Sequence, residues 1–311
     1  MPTELPFVTL DVFTTTPYRG NPLAVVTIPP TLNPPPTQEQ KQAIAREFNL
    51  SETVFIHDVA DPETNKTRNI DIFLTFDEIP FAGHPTVGTA VSLLPQGVTT
   101  LVTKAGPIPL KQTGERFVQA NIPHDLHVHA KKTRDLSPSK LYSVEKLQPD
   151  NEIRQLELDA PVVSIVNGVS FLLVELSSLE QLAKVQLTGV EFPPEELLDD
   201  GWRKGLIARY YYVKTEEKDE NGLPVDVIRT RMMEHSFEDP ATGSAACCLS
   251  SYLSIQGDKQ TTPKRRYEIT QGVEMGKESN IVVEVEVKDN KIDNVQLAGT
   301  AVQVMRGYVT L

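Results

Sequence analysis

The chain has 311 residues, 39% of them hydrophobic and 23% charged, so it can bury a sizeable core and divide into two domains. A formal net charge of −12 argues against a general nucleic-acid binder or a protein of anionic membrane surfaces, while a locally positive site could still take a small anion. No stretch approaches the roughly 20 apolar residues of a membrane span. No basic segment followed by an apolar block opens the sequence, and the two cysteines, Cys247 and Cys248, are adjacent and form no disulfide framework, so a reducing, cytoplasmic setting is expected.

Residues 7–13 alternate and read as a strand. A turn-rich loop, 14–22, contains Tyr18-Arg19-Gly20-Asn21-Pro22 and leads to a buried strand at 23–28. Residues 29–36 hold five prolines and must be a loop. Thr37 can cap a helix that runs through Gln40, Ile44 and Phe48 and ends near Asn49. In 50–56, a strand would put Glu52, Val54 and Ile56 on one face. A carboxyl there either reaches solvent at a sheet edge or is buried with a role of its own. If it is buried, desolvation raises its pKa and lets it exchange protons near neutrality.

A polar hairpin loop at 58–69 and a strand at 70–76 deliver the chain to Phe81-Ala82-Gly83-His84-Pro85-Thr86-Val87-Gly88. Here a glycine, a polar residue and small residues open an apolar helix, with Pro85 suited to its first position. Short strands follow at 98–101, 108–112 and 117–122. The polar segment 124–137 carries His124, His127 and His129 and reads as a linker between halves. His127 and His129 would share a strand face, as two metal ligands might. No carboxylate or cysteine cluster beside them completes a site, and no metal is expected. Polar helix signals in 143–163 precede strands at 161–166 and 170–176 around the Asn167-Gly168 hairpin turn. Short helices at 178–185 and 194–198 come next, then strands at 207–214 and 225–233. After a helix at 242–256, strands are expected at 267–271, 281–287, 291–297 and 301–311. Lys264-Arg265-Arg266 reads as a solvated turn.

The stretch Phe237-Glu238-Asp239-Pro240-Ala241-Thr242-Gly243-Ser244 has the same design as 81–88. Thr and Ser cap a helix, and Gly lets backbone approach a ligand. The first N–H groups of such a helix point outward and suit a small anion such as a carboxylate. An ordinary capped helix is the plainer alternative. Ala82 and Ala241 would be equivalent, about half a chain length apart, and each follows a strand. That pattern indicates duplication, with a site between the halves.

With Arg19-Gly20-Asn21-Pro22, Ser51-Glu52-Thr53, Gly83-His84 and Asp239-Pro240-Ala241-Thr242-Gly243-Ser244, the sequence resembles the phenazine biosynthesis PhzF-like family. Asp11-Val12-Phe13, the run 44–53 and the terminal 299–307 extend the match over the whole length, and the motifs fall in the right order. The resemblance implies an α+β protein of the diaminopimelate epimerase-like fold. Its two pseudo-symmetric halves would each be a curved, barrel-like mixed β-sheet around a central helix, 85–94 or 242–256, with the active site in the cleft between them. The halves would be 1–124 and 125–299, with strand 300–311 packing on the first. Glu52 would be the acid–base residue, and His84, Asp239 and Ser244 would complete the site. Asn21, Gly83, Pro85, Thr242 and Gly243 would join Ser244 in binding a small anionic substrate. The family's best-known activity isomerises trans-2,3-dihydro-3-hydroxyanthranilate, moving a proton between carbons without metal or organic cofactor. A homodimer is implied as well.

Epimerase relatives of that fold place a cysteine at each helix start. Ala82 and Ala241 stand there in this alignment, so a two-thiol mechanism is not expected. Cys247 and Cys248 lie within the helix, where a small apolar role fits. Ala246, Lys277 and Phe237 depart from the family pattern, where histidine, arginine and a smaller residue are common. These changes leave the substrate open. Epimerase or lyase chemistry on another small carboxylate, or a non-catalytic role in protein interaction, are the competing readings.

Overall fold

The computed structural model describes residues 3–140, 142–257 and 262–311. They form two compact units, one comprising the described residues up to Ile122 with Leu297–Leu311, the other Pro123–Gln296. The chain begins with β1 (Glu4–Val12), β2 (Asn21–Ile28), α1 (Gln38–Phe48), β3 (Thr53–His57), β4 (Thr67–Phe73) and β5 (Glu78–Ile79). Next come α2 (Gly83–Ser92), β6 (Thr100–Thr103), β7 (Gly106–Gln112) and β8 (Phe117–Asn121). The second unit opens with β9 (His127–Val128), α3 (Asn151–Asp159), β10 (Val162–Val166), β11 (Val169–Glu175), α4 (Leu179–Lys184) and α5 (Pro194–Leu197). It continues with β12 (Leu206–Glu220), β13 (Leu223–Met233), β14 (Glu238–Asp239), α6 (Gly243–Ser254), β15 (Lys264–Gln271) and β16 (Ser279–Lys288). The last strand, β17 (Lys291–Thr310), carries residues of both units.

The two units repeat one topology. β1 pairs antiparallel with β2, β2 parallel with β3, and β3 antiparallel with β4. β4 then pairs antiparallel with β5 and parallel with β6, which pairs antiparallel with β7. In the second unit β10 through β16 reproduce every one of these pairings in the same order and sense. Each set surrounds one helix. α2 packs on β1, β2, β3 and β8, and α6 on β10, β11, β15 and β16. Strands from opposite ends of a sheet can touch the same helix only if the sheet curves around it.

This burial explains the composition of both helices. Gly83 through Val91 are all buried, and α6 is buried except at Ser244 and Tyr252. A helix enclosed on all sides needs small or apolar residues all round rather than one apolar stripe. Cys247 and Cys248 are fully buried, and burial pushes both thiols up, out of the reactive range. Gly88 shows how closely α2 is enclosed. A Cβ there would lie 2.6 Å from Leu23 Cδ2 and from Val12 Cγ2. Alanine gains about 1 kcal/mol of helix propensity over glycine, but overpacking a core costs about 1–3 kcal/mol. Gly88→Ala is therefore expected to lower stability in a urea melt, opposite to the propensity scale.

Several expectations need correction. Residues 291–310 form one strand, not two. Lys264-Arg265-Arg266 is no turn but the start of β15. Arg265 is buried, with its Nη1 2.9 Å from Asp226 and 3.0 Å from Glu217, and Arg266 pairs with Glu284 and Glu220. Acidic residues on neighbouring strands neutralise a run that looks isolated in sequence. Residues 127–128 are not linker, because β9 pairs with Val163 and Ser164 of β10.

Candidate active site

The first unit places Glu52 by local means. Thr37 and Gln40 close a capping box on α1, and Asn49 ends that helix in the left-handed conformation, with φ 50°. Leu50, Ser51 and Glu52 follow, and β3 begins at Thr53 beside β2. Glu52 thus stands one residue before the strand rather than within it. Its side chain is only 14% exposed, so the solvent-edge alternative does not hold. Burial pushes its pKa up to about 7, with a Ser51 hydrogen bond pulling the other way. Its Oε2 is buried and accepts no hydrogen bond among the described residues. The Nδ1 of His84 lies 3.5 Å from that oxygen. At pH 7 this carboxyl is divided between its acid and its base form, the condition under which one group can both take and return a proton.

His84 is buried in the first turn of α2. Ala82 is the N-cap, so Gly83 and His84 fill the first two helical positions and Pro85 the third. Pro85 was expected at the first. The change costs little, since the third N–H also lacks a helical acceptor. Asn21 is buried at the start of β2, opposite Val12.

In the second unit, β14 ends at Asp239, which faces Met232 across the β13–β14 hairpin. Arg231 grips Glu238 with two hydrogen bonds of 2.8 Å and donates to the carbonyls of Leu182 and Val185. The hairpin is therefore fastened to the end of α4. Thr242 holds the N-cap position of α6, but its side chain makes no cap. Instead its hydroxyl donates to Asp239 Oδ2 at 2.5 Å. Gln271 donates from Nε2 to the Asp239 carbonyl at 2.7 Å and to Thr242 Oγ1 at 3.0 Å. Gly243 and Ser244 then open the helix.

The helix ends differ in a way that bears on binding. α1, α3 and α4 are each capped by a side chain, from Thr37, Asp150 and Ser178. α2 and α6, like the single-turn α5, have no side-chain cap. The positive end of a helix dipole favours an anion at an N-terminus that no side chain caps. The two N-caps also correct an equivalence. The hairpins align Phe73–Glu78 with Met233–Glu238, so Ala82 matches Thr242, and Ala241 matches Phe81. Neither helix start holds a cysteine.

The structure thus brings Glu52 to His84 within the first unit, beside Gly83 and Pro85, and Asp239 to Thr242 within the second, beside Gly243 and Ser244. Sequence reasoning passed over Gln271, whose role depends on partners 29 and 32 residues away. It also missed Asp199, which joins His127 and His129 so that one ligand atom of each lies within 4.8 Å of the others. The expectation that no carboxylate stands beside this histidine pair is overturned. Those atoms are already engaged. His127 Nε2 meets Asp199 Oδ2 at 2.8 Å, His129 Nδ1 accepts the Asp199 N–H at 3.1 Å, and His129 Nε2 meets Ser164 Oγ at 2.8 Å. His127 also stacks on Trp202. Hydrogen bonding and stacking account for the cluster as a fastening of the loop after α5 to β9. Two cavities, of about 460 and 350 Å³, are lined by other residues than these site groups.

Comparison with known proteins gives the family. Residues 10–307 match the model described as phenazine biosynthesis-like protein. The chain belongs to that family. An uncharacterized isomerase of Mesorhizobium japonicum is 32% identical over 311 residues, covering 96% of both chains. The trans-2,3-dihydro-3-hydroxyanthranilate isomerase of Pseudomonas fluorescens is 28% identical, over 98% of this chain and 99% of its own. Among solved structures, the phenazine biosynthesis protein of the PhzF family from Bacillus anthracis superposes with a TM-score of 0.73 at 24% identity, covering 99% and 100% of the two chains. The fold is the α+β, diaminopimelate epimerase-like one. No helix among the described residues is long and apolar enough to cross a membrane.

Proposed function

We propose that this protein is a cofactor-independent isomerase that moves a proton between carbons of a small carboxylate-bearing substrate. Glu52 is its acid–base group, His84 and Asp239 hold and polarise substrate groups, and the substrate-binding residues are Asn21, Gly83 and Pro85 in the first unit and Thr242, Gly243 and Ser244 in the second. The observation that carries this reading is Glu52: a buried carboxyl whose pKa stands at about 7, beside a buried histidine. An ordinary carboxylate near 4.5 would be a weak base at neutrality and almost never an acid. The isomerases among the relatives support the class of reaction, and trans-2,3-dihydro-3-hydroxyanthranilate is the first compound to try.

In deuterated water, a one-carboxyl mechanism is expected to place deuterium at the accepting carbon on the face from which the proton left. Deuterium at the original carbon with inverted configuration would instead indicate epimerisation. Because Glu52 must begin as carboxylate to take a proton from carbon, kcat/KM is expected to rise with pH through an ionisation near 7 and then level. A profile flat from pH 5 to 9 on a substrate that does not titrate there contradicts the assignment.

A further inference from the structure

We infer that Arg231 is a positioning residue for Asp239: its fork on Glu238 pins the register of β14, and that register decides which side of the hairpin Asp239 faces. The inference rests on the reading that Asp239 acts on substrate, and its own content is the bracing of one hairpin.

β14 is two residues long, and its ladder consists of two pairs, Met232 with Asp239 and Met233 with Glu238. Side chains alternate along a strand, so Glu238 and Asp239 face opposite sides of the sheet. A slip of one residue would exchange them. Arg231 stands two residues before Met233 and so on the Glu238 side, as its diagonal neighbour. It is buried. Nε and Nη2 hold the two Glu238 oxygens at 2.8 Å each, and Nη1 donates to the carbonyls of Leu182 at 3.0 Å and Val185 at 2.8 Å. Leu182 lies in the last turn of α4 and Val185 is its C-cap, at the end where a helix runs out of its own donors. One planar cation thus joins β13, β14 and α4. Asp239 is held to the other side of β14, where the Thr242 hydroxyl donates to its Oδ2.

The first unit braces the corresponding hairpin with other chemistry. By register Asp71 corresponds to Arg231 and Glu78 to Glu238, so two carboxylates replace the ion pair. α1 supplies donors to them. Lys41 Nζ lies 2.6 Å from Asp71 Oδ2, the Gln38 amide donates to Glu78, and Gln42 Nε2 donates to the Leu74 carbonyl at 2.9 Å. His57 meets Asp71 as well, and Lys104 meets Glu78. α1 and α4 hold the same place in the two topologies, after β2 or β11 and before the strand parallel to it. In one unit the helix donates to the hairpin, and in the other the hairpin donates to the helix. The residues differ while the brace persists, the pattern expected when the position of the hairpin, rather than any one pair, carries the function. In each unit the braced strand leads into the start of the central helix.

Two variants separate positioning from stability. Arg231→Lys keeps the charge but cannot fork onto a carboxylate. Arg231→Met with Glu238→Leu replaces the ion pair by an apolar one, an exchange that often leaves stability unchanged. The protein carries aspartate labelled with ¹³C at the side-chain carboxyl, with Asp239 assigned through Asp239→Asn. At pH 7 the Asp239 resonance is expected to move or to split in both variants, while that of Asp226, held by Arg265 on the same strand, stays in place. The double variant should melt closer to wild type than Arg231→Met alone, so that displacement of Asp239 is read apart from loss of stability. An Asp239 resonance at its wild-type position in folded Arg231→Lys, or in the folded double variant, overturns the inference. If neither folds, Glu238→Gln, which keeps the shape but only one acceptor of the fork, gives the same reading with a smaller shift. None of these readings needs turnover. A protein that shows the shifts yet isomerises nothing keeps its brace and loses the proposed reaction.

Discussion

Glu52→Gln is expected to abolish proton transfer while stabilising the protein at alkaline pH. Glutamine keeps the shape of the side chain and cannot exchange the proton. General acid–base groups contribute about 10²–10⁴-fold, and here one group does both halves of the transfer, so the upper end of that range is expected in kcat. The gain in stability follows from linkage. The folded pKa, about 7, lies above the usual 4.5, so the folded protein binds this proton more tightly than the unfolded chain. That contribution is fully present below pH 4.5 and is lost as pH rises through about 7. At about 1.4 kcal/mol per pKa unit, the loss is roughly 3 kcal/mol above pH 8. The neutral amide does not suffer it. Denaturant melts of Glu52→Gln and wild type should therefore nearly coincide at pH 5 and separate at pH 8.5, with the variant the more stable. Equal stability at both values would mean that Glu52 is solvated.

The second large effect lies in the second unit. Arg209→Met is expected to destabilise the second unit by about 3–5 kcal/mol at pH 8, the usual cost of leaving a buried charge without its partner. Glu157 is fully buried on α3. Its Oε1 accepts the Tyr211 hydroxyl and lies 3.6 Å from Arg209 Nη1, and its Oε2 accepts the Gln148 N–H at 2.7 Å. Burial raises its pKa despite these partners. Methionine fills much of the space of the arginine stem but leaves the carboxylate uncompensated. Glu157 then protonates more readily, so the defect should shrink as pH falls towards 5. Melts at the two pH values check this. Arg209→Met together with Glu157→Gln should recover much of the loss, since the two groups share one network.

Local chemistry was legible in the sequence, and long-range partnership was not. α1 could be read from Thr37, Gln40 and Asn49 because its capping box and left-handed end are made by residues within the helix's own span. The strands could be read because alternation records which face is buried. The short motifs, taken together, identified the family that residues 10–307 match. The expected gap between strands at 291–297 and 301–311 does not exist, because 291–310 is one strand in which Gly299 has a packing role. Gly299 lets the strand pass Phe13, whose ring a Cβ would meet at 2.4 Å. The basic run at 264–266 misled because its acidic partners lie on other strands. At the candidate site, the alternation that drew notice to Glu52 placed it one residue too deep, inside β3. Its burial and its elevated pKa come from tertiary packing, which no window of sequence contains. The Thr242 cap failed for a related reason: Asp239 and Gln271 compete successfully for the hydroxyl.

Everything in the proposed chemistry depends on one carboxyl titrating near neutrality. A ¹³C NMR titration of protein labelled at the glutamate side-chain carboxyls, with Glu52 identified by the signal missing from Glu52→Gln, reads that property directly. A midpoint near 7 is the expected result. A midpoint near 4.5, that of an ordinary glutamate, would contradict the account.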